Sequence, residues 1–218
     1  MSTAPLVIEA IVDDDERPAL EAAAAQLREC LAAAAGEPWQ VAVRFARSFD
    51  ELASADPPTM VVASFLPEVV HGEETIASVE ARWRSGLSAL AERGDPPVLL
   101  CTVFRHVGAD VASGDVAAVR ERIRRMALLA IDLSHDTGAG VVDIDRVFAH
   151  VGARMLDTDF RLRGRAAAEA AGHAIVSGVL GLDLDDVIPP EIQERAVESQ
   201  GTVDQLAQFV ERRLAAHG

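Results

Sequence analysis

The sequence contains neither lysine nor tyrosine, and each absence excludes a kind of chemistry. Without lysine, the chain cannot form a Schiff base or place a P-loop lysine against a phosphate. Without tyrosine, no phenol can act as a general acid. All 20 basic residues are therefore arginine.

Aromatic residues and cysteines are also scarce. Aromatic residues make up 4% of the 218 residues, although half of the chain is hydrophobic, so alanine, valine and leucine must fill the core. Cys30 and Cys101 show no metal-binding spacing. We expect them to be two buried thiols of a protein in a reducing compartment.

Positive charge is in the minority. The 35 acidic residues against 20 basic ones give a formal charge of -15, which argues against nucleic acid and against an anionic membrane surface as partners. No apolar run is long enough to cross a membrane, and the first residues lack the basic region of a signal peptide. We therefore expect a cytoplasmic protein.

Short apolar runs alternate with helical segments along the chain. The predicted strands are residues 5–12, 39–45, 58–65, 96–104 and 138–145, and the predicted helices are residues 17–35, 48–55, 75–93, 115–135 and 163–180. The alternation predicts an α/β fold in residues 1–182, a flavodoxin-like three-layer sandwich around a five-stranded parallel sheet. Ligands of such sheets bind beyond the carboxyl ends of the strands.

Residues 183–218 are predicted to form a C-terminal helical extension. Thr202 and Gln205 have the spacing of a capping box at the start of its helix. We expect the apolar stripe of this helix to pack on the domain, on a second copy of the chain or on a protein partner. The stripe consists of Leu206, Phe209, Val210 and Leu214.

Three stretches together resemble the SGNH (GDSL-type) hydrolases in architecture and hydrophobic register. All three lie between residues 61 and 181. The first runs from VVASF through the following helix to PPVLLCTVF. The second is RERIRRMALLAIDLSHDTGAGVVDIDRVF, and the third is MLDTDFRLRGRAAAEAAGHAIVSGVLG. The resemblance implies a divergent hydrolase fold that acts on a small-molecule or acyl substrate.

The catalytic motifs of that family are degenerate in this chain. The family's Gly-Asp-Ser falls on residues 13–15, which are three aspartates, and its Gly-x-Asn-Asp block falls on residues 63–66, which hold no asparagine. Its closing Asp and His fall on Asp157 and Phe160. A serine nucleophile needs a histidine base, so we do not expect the family's ordinary ester hydrolysis.

A response-regulator receiver is the rival resemblance. The segment IVDDDE resembles the receiver's magnesium-binding acidic pair, and FLPEVVHG resembles the segment after its phosphorylated aspartate. That aspartate would fall on Ala63, and the receiver's lysine has no counterpart.

Titratable and hydroxyl side chains follow the predicted strands and form the candidate site. The candidate catalytic residues are Ser64, His106 and Asp157, and the candidate substrate-binding residues are Asp13, Thr102, Arg105 and Arg161. Arginine can bind a carboxylate or phosphate bidentately, and histidine can exchange protons near neutral pH. The alternative is that these residues form surface loops and mutual ion pairs.

The aspartate run predicts a cation site. Asp13 and Asp15 are candidate ligands for Mg²⁺ or Ca²⁺, together with Asp143 or Asp145 from the fifth strand, because hard cations take oxygen ligands. The alternative is a solvated turn in which one aspartate caps the next helix. No other cofactor is expected.

Two functions remain open at this point. One is a divergent SGNH-like enzyme that uses the strand-end residues without the usual triad. The other is a non-catalytic binding or scaffold protein, a pseudo-hydrolase or pseudo-receiver that works through a protein partner.

Overall fold

The computed structural model describes residues 5–54, 58–108, 111, 115–152, 156–201 and 205–216. Its strands are β1 (Leu6–Ile11), β2 (Val41–Ala46), β3 (Met60–Ser64), β4 (Val98–Cys101) and β5 (Gly140–Val142). Its α-helices are α1 (Arg17–Ala35), α2 (Phe49–Ser54), α3 (Leu66–Val70), α4 (Ile76–Glu92), α5 (Val116–Thr137), α6 (Ile144–Val151), α7 (Arg165–Leu180), α8 (Pro190–Gln200) and α9 (Leu206–Ala216). A 3-10 turn, Asp14–Glu16, links β1 to α1.

The five strands form one all-parallel sheet in the order β2-β1-β3-β4-β5, which confirms the predicted α/β fold. The register places Ile11 beside Ala63, Ser64 beside Cys101, and Cys101 beside Val142. The carboxyl ends of the three central strands therefore lie side by side. The strand order reverses at β1 and β3, the position where open α/β sheets bind ligands.

Helices cover both faces of the sheet. Alternate strand residues pack with α1 and α7 on one face and with α4 and α5 on the other, because successive side chains of a strand point to opposite faces. Small side chains let α1 and α7 approach closely, and a Cβ on Gly172 would lie 2.9 Å from the backbone nitrogen of Ala23.

Local signals at the helix ends agree with the sequence. α1 has Pro18 in its first turn and ends at Gly36, whose φ of 74° is the left-handed conformation that favours glycine. The Thr75 side chain caps α4 by accepting a hydrogen bond from the Ser78 amide. Cys30 and Cys101 are free, buried thiols, as expected.

The predicted fourth and fifth strands were too long at their carboxyl ends. β4 ends at Cys101 and not at Phe104, and β5 ends at Val142 because the Asp143 side chain caps α6 by accepting from the Arg146 amide. α3 and α6 were not predicted, and α8 lies within the predicted C-terminal helical extension. Prolines at the start of α3 and α8 fit their first turns.

The C-terminal helix packs on the domain through its predicted stripe. Leu206 and Val210 are buried, and Phe209 and Leu214 pack against the same core cluster as α1 and α7. Thr202 of the predicted capping box lies outside the described residues. The predicted division of the chain at residue 182 stays a prediction. No helix in the described ranges has both the length and the apolarity needed to cross a membrane.

The contact between α1 and α7 gives a stability prediction. Gly172→Ala should lower the free energy of unfolding by about 2 kcal/mol, because the new methyl group overpacks this contact although alanine favours helix. Gly181→Ala, at the residue that follows the last turn of α7, is the matched control, because the nearest atoms lie at an ordinary 3.4 Å and φ is negative. Urea unfolding measures both, and equal stability of the two variants would contradict the prediction.

Candidate functional site

A hydrogen-bonded turn follows β1 at the carboxyl edge of the sheet. The Asp13 carboxylate accepts a hydrogen bond from the Asp15 amide at 3.0 Å, and the Asp13 amide donates to the Glu16 carboxyl group at 3.0 Å. This reciprocal pattern is a capping box. The side chains of Asp13 and Glu16 are buried in this turn, just before the start of α1.

Each of the three adjacent aspartates has a basic partner within the protein. The pairs are Asp13 with His71 at 2.7 Å, Asp14 with Arg17 at 2.9 Å, and Asp15 with Arg163 at 2.9 Å. The described part of the chain holds no group of three or more His, Cys, Asp or Glu side chains placed to hold a metal ion. The Asp13–Asp15 cation site stays a prediction.

Ser64, the last residue of β3, forms a buried pair with Glu16. Its hydroxyl donates to Glu16 Oε1 at 2.6 Å and accepts from the Leu66 amide at 3.1 Å. Ser64 is 1% exposed. Among the described residues, no histidine forms a hydrogen bond with this hydroxyl, whose partner is a carboxyl group instead.

Burial raises the pKa of Glu16 to about 7, and the negative charges of Asp13 and Asp15 add to this effect. The hydrogen bonds from Ser64 and from the Asp13 amide act in the opposite direction. A carboxyl group in this range exchanges its proton near neutral pH. Burial also raises the pKa of the neighbouring Cys101 thiol far above its usual value, so this thiol is not an activated nucleophile.

His71 lies on the solvent side of the same network. Its ring is 70% exposed, and its Nε2 contacts Asp13, which is only 9% exposed. Arg122 of α5 fixes the surrounding loop by donating to the carbonyl oxygens of Glu68 and Glu74. The exposed His71 thus contacts the Asp13 side chain, the Asp13 backbone amide donates to Glu16, and Glu16 accepts from the buried Ser64.

Thr102 and Arg105 hold the ends of β4 and β5 together. The Thr102 hydroxyl donates to the Val142 carbonyl and accepts from the Ile144 amide, both at 3.1 Å. The Arg105 side chain is exposed and forms an ion pair with Asp145 at 2.5 Å. The Thr102 hydroxyl thus donates one hydrogen bond and accepts another inside the fold, and Asp145 is the partner of Arg105.

A cleft of about 300 Å³ brings together three of the predicted site residues. Its lining consists of His106, Gly108, Asp157, Thr158, Asp159, Arg161 and Arg163. His106 and Asp157 are exposed in it. The predicted residues Asp13, Ser64, Thr102 and Arg105 do not line this cleft, although the Asp15–Arg163 ion pair joins the Asp13 turn to its wall.

Hydrogen bonds and unusual backbone angles shape the wall of the cleft. The Phe160 amide donates to the His106 carbonyl at 2.7 Å, and Asp157 and Leu162 have positive φ angles of 39° and 57°. Arg161 donates to both carboxylate oxygens of Asp159. Burial alone would raise the pKa of Asp159, but the hydrogen bonds from Arg161 hold it below its usual value.

A larger groove of about 1160 Å³ lies at the opposite, amino end of the sheet. Its lining includes the residues before β3, β4 and β5 and the acidic side chains of Asp95, Asp136, Asp183, Asp185 and Asp186. Parallel sheets bind ligands at the carboxyl edge. The smaller cleft beside His106 is therefore the better candidate site.

Comparison with solved structures finds similar proteins, whereas comparison of sequences does not. No family model and no curated protein matches the chain. A GDSL-like protein from Parabacteroides merdae superposes with a TM-score of 0.59 at 17% identity, over 81% of this chain and 96% of that one. An aryl esterase from M. smegmatis gives 0.55 at 13% identity, over 81% and 98%. Phospholipase A1 from Streptomyces albidoflavus gives 0.52 at 13% identity, over 81% and 99%.

The chain has the SGNH-hydrolase fold. The predicted resemblance is thus confirmed for the architecture, and at these identities the likeness concerns the fold alone. The missing asparagine has no substitute elsewhere, because the sequence contains no asparagine at all. Phe160, on which the predicted resemblance places the family's histidine, is a core residue with 6% exposure.

Sequence reasoning did not select Glu16 or His71 as site residues. The D-x-x-E spacing of Asp13 and Glu16 is a capping-box signal that could have identified Glu16. No local pattern identifies His71, because its contact with Asp13 joins residues 58 positions apart.

The Glu16 carboxyl group gives a pH-dependent prediction. Its pKa is raised from 4.5 to about 7 on folding, so the folded state binds this proton more tightly than the unfolded state. Its contribution to stability is therefore present at low pH and is lost as pH rises from about 4.5 to about 7. The glutamine of Glu16→Gln does not ionise, so the variant should not lose this stabilisation, which amounts to about 3 kcal/mol.

Urea unfolding of wild type and Glu16→Gln between about pH 4 and about pH 8 measures the effect. The stability difference should shift in favour of the variant as pH rises. Glu21→Gln, at an exposed position of α1, is the control and should give a constant difference. A constant difference for Glu16→Gln as well would contradict the raised pKa.

Proposed function

We propose that this chain is a divergent SGNH-fold protein that binds a small-molecule or acyl substrate in the cleft beside His106, without serine-based catalysis. The observation that carries the proposal is the convergence of His106, Asp157 and Arg161 on that cleft. These residues come from the loop after β4 and from the segment before α7. The cleft also belongs to the sheet edge where parallel α/β folds bind ligands.

The surroundings of Ser64 argue against a serine nucleophile. A nucleophilic serine needs an accessible hydroxyl and a histidine base within hydrogen-bond reach. Ser64 is enclosed, and its proton is directed at Glu16. Any acyl chemistry at this edge would therefore use water as the nucleophile.

The cleft supplies groups for acid–base chemistry. His106 would take a proton from the attacking water, and that proton would then pass to the leaving oxygen as the ester bond breaks. Asp157 would orient the imidazole or the water. Arg161 and Arg163 are engaged by Asp159 and Asp15, so they shape and charge the wall of the cleft.

A non-catalytic binding or scaffold role is the second candidate. The enclosed Ser64 and the lack of any asparagine favour it, because the fold then lacks the groups that run its usual reaction. In that case the cleft would hold a ligand without turnover.

Ser64→Ala should leave any hydrolysis of p-nitrophenyl acetate unchanged relative to wild type. A fluorophosphonate probe, which labels activated serines, should leave Ser64 unmodified, as read by mass spectrometry of the tryptic peptides. A rate loss of about tenfold or more, or a labelled Ser64, would show that the buried hydroxyl is a nucleophile after all.

His106→Ala and Asp157→Asn should each lower the rate of p-nitrophenyl acetate hydrolysis by at least about tenfold, since a positioned acid or base contributes this much or more. His135→Ala, an exposed histidine on α5 away from the cleft, is the matched control and should keep the wild-type rate. A wild-type rate no higher than that of the urea-unfolded chain would refute turnover and favour the non-catalytic role.

A further inference from the structure

The outer face of α5 carries exposed apolar side chains. Leu128 is 55% exposed and Ile131 is 51% exposed. Val141, on the neighbouring edge strand, is 36% exposed and points to the face of the sheet that α5 covers, because its neighbours Gly140 and Val142 pack on the other face. Two of the five exposed large apolar residues in the described part of the chain therefore lie on the outer face of α5, and Val141 lies on the strand beside it.

The C-terminal helix does not cover this region. Its stripe packs with α1 and α7 on the opposite face of the sheet, where Leu206 and Val210 are buried. The apolar stripe of the C-terminal helix, which was one candidate surface for a partner, thus packs against the rest of the domain. Leu128 and Ile131 remain as the large apolar side chains that α5 presents outward.

Charges around Leu128 are arranged with the symmetry of a self-complementary surface. Arg124 lies four residues before Leu128 and Asp132 four residues after it, and Glu121 and His135 lie seven residues before and after it. Residues four and seven apart share one face of a helix. No ion pair or hydrogen bond to another described residue involves the side chain of Arg124 or of Asp132.

A two-fold axis at Leu128 would pair these charges between two copies. If two α5 helices cross antiparallel there, Arg124 of each copy faces Asp132 of the other. Glu121, which also pairs with Arg125 of its own helix at 3.1 Å, then faces His135. Leu128 meets its own equivalent at the centre. This is the isologous contact that a symmetric dimer requires, with an apolar centre and a polar rim.

The outer face of α5 also avoids the electrostatic repulsion that the net negative charge of the chain would impose between two copies. The formal charge of the chain is -15, but the exposed residues of α5 include Arg120, Arg124 and Arg125. Two such surfaces can approach each other without bringing together two acidic patches.

We propose that the face of α5 centred on Leu128 is a dimer interface, and that its occupant is α5 of a second copy of this chain. The interface lies on the side of the sheet that α4 and α5 cover. It is independent of the function proposed for the cleft.

Sedimentation velocity at about 0.15 M salt tests the proposal, because this salt screens the net charge. Wild type should sediment as a dimer at about 50 µM, and Leu128→Arg should sediment as a monomer. Val197→Arg is the matched control, since Val197 is 49% exposed on α8, and it should remain a dimer. A monomeric wild type at that concentration, or equal behaviour of the two arginine variants, would overturn the proposal.

A charge swap tests the pairing itself. Arg124→Asp and Asp132→Arg should each weaken dimerisation by about tenfold or more, because each single change places like charges opposite each other twice. The double variant should recover the wild-type dissociation constant within about threefold. Circular dichroism checks that these exposed changes leave the fold intact, and single variants that dimerise as wild type does, or a double variant that stays as weak as the singles, would overturn the antiparallel register.

Discussion

The hydrogen bond between the Ser64 hydroxyl and the Glu16 carboxyl group links the carboxyl ends of β1 and β3. β1 leads into Glu16 through the Asp13 turn, and β3 ends at Ser64, so this contact joins the two strands at the switch point of the sheet. It places an ionisable group out of water, where the group stays near the midpoint of its titration at neutral pH. The exposed His71 and the cleft both connect to this turn, through Asp13 and through the Asp15–Arg163 ion pair.

At this edge of the sheet the partner of Ser64 is a carboxyl group and not a histidine. The buried carboxyl–hydroxyl pair keeps the end of β3 close to the turn that follows β1. Phe160 has a comparable role, because its ring packs into the core while its backbone amide donates to the His106 carbonyl and anchors that loop. Packing and hydrogen bonds therefore stabilise this edge at two points.

The sheet was predictable because its strands are short, apolar and separated by helices with clear ends. Pro18 and Gly36 limit α1, and Thr75 marks the start of α4, so local sequence alone places them. α6 was missed because Asp143 was interpreted as part of a strand, whereas its side chain caps a helix. The Ile144 amide at the start of α6 also donates to the Thr102 hydroxyl, a tertiary contact that no local pattern records.

The site was predictable only in part. Strand ends point to one edge, so the convergence of His106 with Asp157 and Arg161 follows from topology together with the closing block of the family. The contact of His71 with Asp13 and the burial of Ser64 depend on how loops fold back across the edge. No periodicity records such contacts, which join residues 58 and 48 positions apart.

The brevity of β5 has a consequence for how the molecule behaves in a crowded solution. This edge strand offers unpaired backbone groups over only three residues, from Gly140 to Val142, before Asp143 turns the chain into a helix. A short edge gives little template for the strand of another molecule, so this edge of the sheet resists edge-to-edge addition. In a chain whose hydrophobic content reaches half of its residues, one of the two sheet edges is thereby protected by a strand that ends early.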